Sequence, residues 1–177
     1  AVRDIAMKVG KQAELSVEGR ETLIDKMILE QLYDPMTHLV NNAITHGIES
    51  PEVRRAAGKP PAGRITIRAF HQGNQTIISV SDDGAGIDID RVKVKAIEKG
   101  LITAVEAQNM TRLDLYDLLF HAGFSTKDQA DDFSGRGVGM DVVRTSLSEI
   151  RGAINTDSTY GKGTTFTIRL PLTLSIS

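Results

Sequence analysis

The chain has 177 residues, 40% of them hydrophobic and 25% charged, a globular mixture that excludes a disordered chain. Its 21 basic and 23 acidic residues leave a formal charge of −2, so no basic field invites nucleic acid, and the absence of cysteine excludes a disulfide scaffold, a thiolate zinc site and a cysteine nucleophile. No apolar run approaches the roughly 18 residues of a membrane span and no signal-peptide pattern opens the chain, so membrane insertion is not expected and the cytoplasm is the expected location.

The length favours one domain over 1–177, and a start at Ala1 instead of Met leads us to expect a piece of a longer protein. Val2, Ile5, Ala6 and Val9 recur at helical spacing until Gly10. Leu15 and Val17 alternate with polar residues, which predicts a strand over 14–18. A long helical pattern starts at Thr22 and runs through Ile28, Leu32, Leu39 and Ile44 to Gly47, with Pro35 expected to divide it in two. Residues 48–63 read as a surface loop with a turn of helix at 52–57. Strands over 64–70 and 76–81 flank Gly73-Asn74, a hairpin signal. Helices follow at 88–99, 105–109 and 113–121, then an aperiodic, mobile loop at 122–136 and a helix at 138–150. Strands at 153–157 and 164–170, joined by Gly161-Lys162-Gly163, close the pattern. Helices interleaved with strands in hairpins predict an α+β sandwich: a two-layer fold with a mixed, mostly antiparallel sheet and helices on one face.

The 16 glycines concentrate in three places: Asp82-Asp83-Gly84-Ala85-Gly86, Gly135-Arg136-Gly137-Val138-Gly139 and Gly161-Lys162-Gly163-Thr164. A glycine cluster that opens a helix exposes unpaired N–H groups to an anion, and the second cluster stands at such a place. Taken alone, it could equally well just shape a loop. Spacing excludes the familiar alternatives. Three residues after Gly137, Gly86 and Gly163 stand Met140, Ile89 and Phe166, so none is a dinucleotide fingerprint. Gly58-Lys59 precedes Pro60 and Gly161-Lys162 precedes Gly163, so there is no P-loop, and Asp132-Phe133 precedes Ser134, so there is no D-F-G.

His38, Asn42 and His46 stand at i, i+4 and i+8, which places them on one helical stripe beside the apolar Leu39, Val40, Ala43 and Ile44. Such a stripe either lines a pocket or faces solvent. Asn offers a neutral oxygen suited to Mg²⁺. The two histidines are about 12 Å apart along the axis, too far to share one transition metal.

In order, Asn42, Asp82-x-Gly84-x-Gly86, Phe120/Phe124, Gly135-x-Gly137-x-Gly139 and Gly161-x-Gly163-Thr164 resemble the N, G1, F, G2 and G3 boxes of the Bergerat-type (GHKL) ATP-binding domain. Histidine kinases, mismatch-repair ATPases, type II topoisomerases and the large heat-shock chaperone share that domain. The runs from Asp34 to Glu49, Gly123 to Lys127 and Ser134 to Val143 resemble the kinase domain of CheA-type chemotaxis histidine kinases, and the resemblance extends from about Val2 to Leu172.

The resemblance implies an ATP- and Mg²⁺-dependent protein histidine kinase domain that passes the γ-phosphoryl group to a histidine on a separate phosphoacceptor domain, in cis or in trans, for relay to a response regulator. It implies Asn42 as Mg²⁺ ligand, with His38, His46 and Lys127 also in the catalytic set. Asp82 would accept from the adenine amine, and Gly84 and Gly86 would let the backbone pass under the base. Gly135, Gly137 and Gly139 would cradle phosphates with Met140 behind, and Thr164 would stand near the base. Ile87, Arg91, Lys95, Leu119, Phe120, Ser125, Arg136 and Val138 complete the expected nucleotide contacts. An ATP lid is expected at 122–134 and a linker to a following domain from 171. Coupling and receptor-array partners would act through other domains. The full-length protein would be a homodimer, and this piece a monomer. Asn41 stands where relatives usually carry a basic residue, which puts one phosphate contact in question. The alternatives are a free ATPase of the same fold or a degenerate, non-catalytic scaffold. The hydrolytic relatives carry Glu four residues before the Asn; here that position is His38.

Overall fold

Period-two alternation builds a five-stranded sheet with one apolar and one polar face. A computed structural model describes residues 2–19, 22, 24, 26–124 and 139–171. The strands are β1 (Ala13–Glu18), β2 (Gly63–Gln72), β3 (Gln75–Asp82), β4 (Ala153–Thr159) and β5 (Gly163–Pro171). Their order is β1-β2-β3-β5-β4, with β1 parallel to β2 and every other pair antiparallel. The register puts Ile65, Ile78, Val80, Ile154, Ile168 and Leu170 on one face, all buried in the main core. Opposite faces alternate along each strand, so Arg64, Thr66, Arg68, Ser79, Ser81, Thr165, Thr167 and Asn155 share the other face. The fold is the expected α+β class.

Seven helices accompany the sheet among the described residues: α1 (Val2–Lys8), α2 (Lys26–Asn42), α3 (Pro51–Ala56), α4 (Ile89–Glu98), α5 (Ala104–Asn109), α6 (Arg112–Leu118) and α7 (Asp141–Ser148). α2 and α7 pack together over the core face. α4 and α6 form a second, smaller core from Val92, Ala96, Leu115 and Phe124. Paired caps set where the short helices begin. Thr103 and Glu106 close a capping box on α5, and Thr111 and Asp114 close one on α6.

Pro35 does not divide α2, contrary to the sequence expectation. A helical proline sacrifices a hydrogen bond and crowds the carbonyl four residues earlier. Here Ile28, Leu32, Pro35 and Leu39 form one buried stripe, and its burial in the core outweighs that local penalty.

The end of α2 widens into a five-residue π-helical turn, Ala43–Gly47, closed by donation from Ile48 N to Ala43 O at 2.7 Å. The turn leaves carbonyls without α-helical partners. Side chains satisfy them: the Lys11 ammonium donates to the carbonyls of Ile44 (2.9 Å) and Thr45 (2.8 Å), and the Thr45 hydroxyl donates to Asn41 O (2.8 Å).

Candidate functional site

A cavity of about 290 Å³ lies between the C-terminal part of α2, the paired ends of β3 and β5, and the α4–α6 subcore. His38, Asn42 and His46 all line it. In an uninterrupted α-helix, eight residues overshoot two full turns by about 80°, which would carry His46 off the stripe. The π-turn advances each residue by a smaller angle and so returns His46 to the cavity side. Burial lowers the pKa of His38, against the raising influence of Asp141, which favours a neutral imidazole at pH 7.

Asn42 donates its amide N–H to the Met140 sulfur at 2.9 Å, which leaves its side-chain oxygen as the group to offer a hard cation. Gly139 and Met140 line the cavity beside it.

Asp82 ends β3 opposite Thr164 of β5, and both line the cavity. Its Oδ1 accepts from Gly84 N at 2.9 Å. Gly84 itself is outside the lining: a Cβ there would stand 2.1 Å from Gly47 O, so only glycine lets the loop press onto the π-turn. Gly163 has φ +135° and a Cβ there would meet Asp82 O at 2.0 Å, so β5 reaches Asp82 through a second glycine. The Thr164 hydroxyl lies 3.0 Å from Ser158 Oγ, which accepts from Ile87 N at 2.8 Å and donates to Gly163 O at 3.0 Å.

Burial raises the Asp82 pKa to about 6; donation from Gly84 opposes it, and the neighbouring Asp83 charge adds to it. In the unfolded chain the same carboxyl ionises near 3.8. Between those values the folded state binds more proton than the unfolded one, so this group's contribution to stability is full below about pH 4 and is lost by about pH 6. Chemical denaturation from pH 4 to 7 is expected to show the native chain losing stability relative to Asp82→Asn across that window. Parallel curves for the two proteins would refute the assignment.

Lys95, Leu119 and Phe124 form the wall opposite α2, with Gly86 and Ile87 between. The Lys95 ammonium stands 4.6 Å from the centre of the Phe124 ring and that of Lys99 5.7 Å, while Lys99 also donates to Phe124 O. Burial, then repulsion from Lys99 and Arg91, lowers the Lys95 pKa to about 8.

The expected residues therefore divide. Eleven of them reach the cavity: His38, Asn42, His46, Asp82, Gly86, Ile87, Lys95, Leu119, Gly139, Met140 and Thr164. Gly84, Arg91 and Phe120 do not line it. Arg91 is an exposed residue one turn before Lys95. Phe120 is buried behind the wall, edge-on to Phe166 with centroids 6.1 Å apart, under the Arg144 guanidinium. Ser125, Lys127, Gly135, Arg136, Gly137 and Val138 lie outside the described residues, as do most of the expected lid and the linker beyond 171. Ala43, Gly47, Phe124 and Phe166 line the cavity without having been expected as contacts; of these only Phe124, by its place in the F box, had a sequence signal. Among the described residues, no helix is long and apolar enough to cross a membrane.

Residues 29–174 match the family described as histidine kinase-, DNA gyrase B- and HSP90-like ATPases. The chain is 47% identical over 175 residues to the chemotaxis protein CheA of Listeria monocytogenes, covering 99% of this chain and 28% of that one. It is 49% identical to the chemotaxis protein CheA of Halobacterium salinarum, covering 99% and 26% respectively, and 45% identical to the sensor histidine kinase CheAY of Helicobacter pylori, covering 99% and 22%. The chain thus spans about a quarter of these relatives. The histidine kinase domain of the blue-light activated histidine kinase EL346 of Erythrobacter litoralis superposes with a TM-score of 0.54 at 16% identity, over 97% of this chain and 60% of that one, a likeness of fold.

Proposed function

Because the chain belongs to the histidine kinase-, DNA gyrase B- and HSP90-like ATPase family, we propose that it is the ATP-binding catalytic domain of a chemotaxis-type histidine kinase. It would transfer the γ-phosphoryl group to a histidine on a separate phosphoacceptor domain. The observation that carries this reading is one cavity lined by Asp82 and Thr164 at the sheet and by His38, Asn42 and His46 on the helix.

A carboxyl group accepts from the adenine amine, whereas guanine would present a carbonyl oxygen to it. The Phe124 and Phe166 rings and Ile87 supply apolar surface for a base. The Asn42 oxygen fits a hard cation, and a Mg²⁺ held there would supply charge neutralisation to the phosphates. His38, His46 and Lys95 then face the phosphates from both walls, and Lys127 and the Gly135–Gly139 turn are proposed to close over them. Transfer needs positioning more than covalent help from the chain. The acceptor imidazole nitrogen attacks the γ-phosphorus, the bond to the bridging oxygen breaks, ADP leaves with the electron pair, and the imidazole proton passes to solvent. Water would need a general base, and His38 stands where the hydrolytic relatives keep a carboxylate.

The same reading takes 1–177 as one cytoplasmic domain with a lid at 122–134. Response-regulator relay, receptor coupling and dimerisation would belong to the rest of the protein. The test incubates the chain with labelled ATP, Mg²⁺ and a histidine phosphoacceptor domain. Acid-labile, base-stable label on the acceptor is expected, with slow phosphate release in its absence. Rapid release without acceptor labelling would overturn the kinase reading in favour of an ATPase.

A further inference from the structure

Helix α3 sits outside the core. Its only buried residues are Pro51 and Arg54, and Val53 is 55% exposed. What α3 delivers inward is a guanidinium with no solvent exposure at all. A buried cation is costly unless every hydrogen-bonding direction is met. Arg54 donates from Nε to Pro60 O (2.7 Å), from Nη1 to Glu49 Oε1 (2.9 Å) and Asp83 O (3.1 Å), and from Nη2 to Asp83 Oδ2 (3.1 Å). Lys59 adds a second cation, donating to Glu49 Oε2 (2.7 Å), Asp83 O (3.0 Å) and Gly84 O (2.9 Å). Asp83 is held from its other side, where its Oδ1 accepts from Arg64 N (2.8 Å).

None of Glu49, Arg54 and Lys59 lines the cavity. They grip its frame from behind. Glu49 stands two residues past the π-turn, and the two carbonyls they hold, of Asp83 and Gly84, directly follow Asp82 in the chain. The pairing of Lys59 with Glu49 persists against the burial of the carboxylate, whose pKa is lowered by the hydrogen bond and charge of Lys59 and by Arg54.

We infer that the Glu49–Arg54–Lys59 clamp is a positioning device for base recognition: it fixes the Asp82–Gly84 backbone against the π-turn so that the Asp82 carboxyl meets the adenine amine in register. This inference rests on the nucleotide reading above. A displacement near 1 Å at a positioned group is enough to erase a directional hydrogen bond, yet it leaves charge-driven phosphate binding on the other side of the cavity intact.

Calorimetric Kd values for ATP, GTP and inorganic tripolyphosphate, each with Mg²⁺, separate positioning from plain stability. The unmodified chain should prefer ATP. Lys59→Met, at a half-buried site, should weaken ATP about tenfold and leave GTP and tripolyphosphate within about twofold, collapsing the ATP:GTP ratio. Lys59→Arg, which keeps the donors, should restore most of the ratio. Glu49→Gln, which keeps the shape, should lower the ratio in the same direction and serves if Lys59→Met fails to fold. Lowered melting temperatures with an unchanged ATP:GTP ratio in the variants would overturn the clamp and leave the adenine reading standing. An unmodified chain that binds ATP and GTP alike would overturn both.

Discussion

Asp82→Asn is expected to weaken ATP binding by about 2 kcal/mol, roughly thirtyfold, because a hydrogen bond to a charged acceptor is lost or replaced by a mixed amide facing the adenine amine. The apo protein should not suffer. The Gly84 N–H can still donate to the amide oxygen, and the substitution removes a buried carboxyl whose ionisation the fold resists. Binding and stability therefore move apart, which a collapsed site could not produce. Thermal unfolding reads both. Saturating ATP at about 100 times its Kd adds about 2.7 kcal/mol to the unmodified chain. The variant should keep or raise its own melting temperature and lose most of the ATP-induced shift. An equal shift in both proteins would remove Asp82 from the base contact.

Asn42→Asp is expected to cut phosphoryl transfer to an acceptor histidine by at least about a hundredfold, since misplacing a positioned group by 1 Å already costs that much. The substitution puts a negative charge where the triphosphate must approach, and it deletes the amide N–H that Met140 receives. Its neighbours on the cavity wall, His38 and His46, keep their places, so the fold should hold. The initial rate of acceptor labelling, read beside the denaturation midpoint, tests this. An unchanged rate in a folded variant would take Asn42 out of the reaction.

The strands were legible because alternation is local: Ile78 and Val80 declare a face within three residues, and Gly73-Asn74 declares the hairpin between β2 and β3. Most of the cavity lining was legible as glycine motifs and a polar stripe. The effects hidden from the sequence are all long-range or cooperative. Pro35 stays helical because of what its ring is buried with, three other stripe residues and the core beyond them. Phe166 reaches the cavity only because β5 pairs with β3 in a register that places it opposite Val80. Arg54 looks like any surface cation of a loop helix until the fold brings Asp83, 29 residues downstream, into its reach. The π-turn gives no local signal, since Ala-Ile-Thr-His-Gly continues an ordinary helical pattern.

That wide turn, Ala43–Gly47, spends roughly one residue more per turn than an α-helix would. To a protein engineer it would be an obvious target: trim one position between Ala43 and Gly47, recover a regular helix, and release Lys11 and Thr45 from propping stray carbonyls. In the trimmed helix His46 would stand seven residues after His38, within about 20° of its stripe, but the chain from Gly47 onward would lose one residue of reach, and with it the seat of Gly47 O against Ala85 N. Regularity of the helix thus competes with the fit of Gly47 against the loop after Asp82, and both draw on the same five residues.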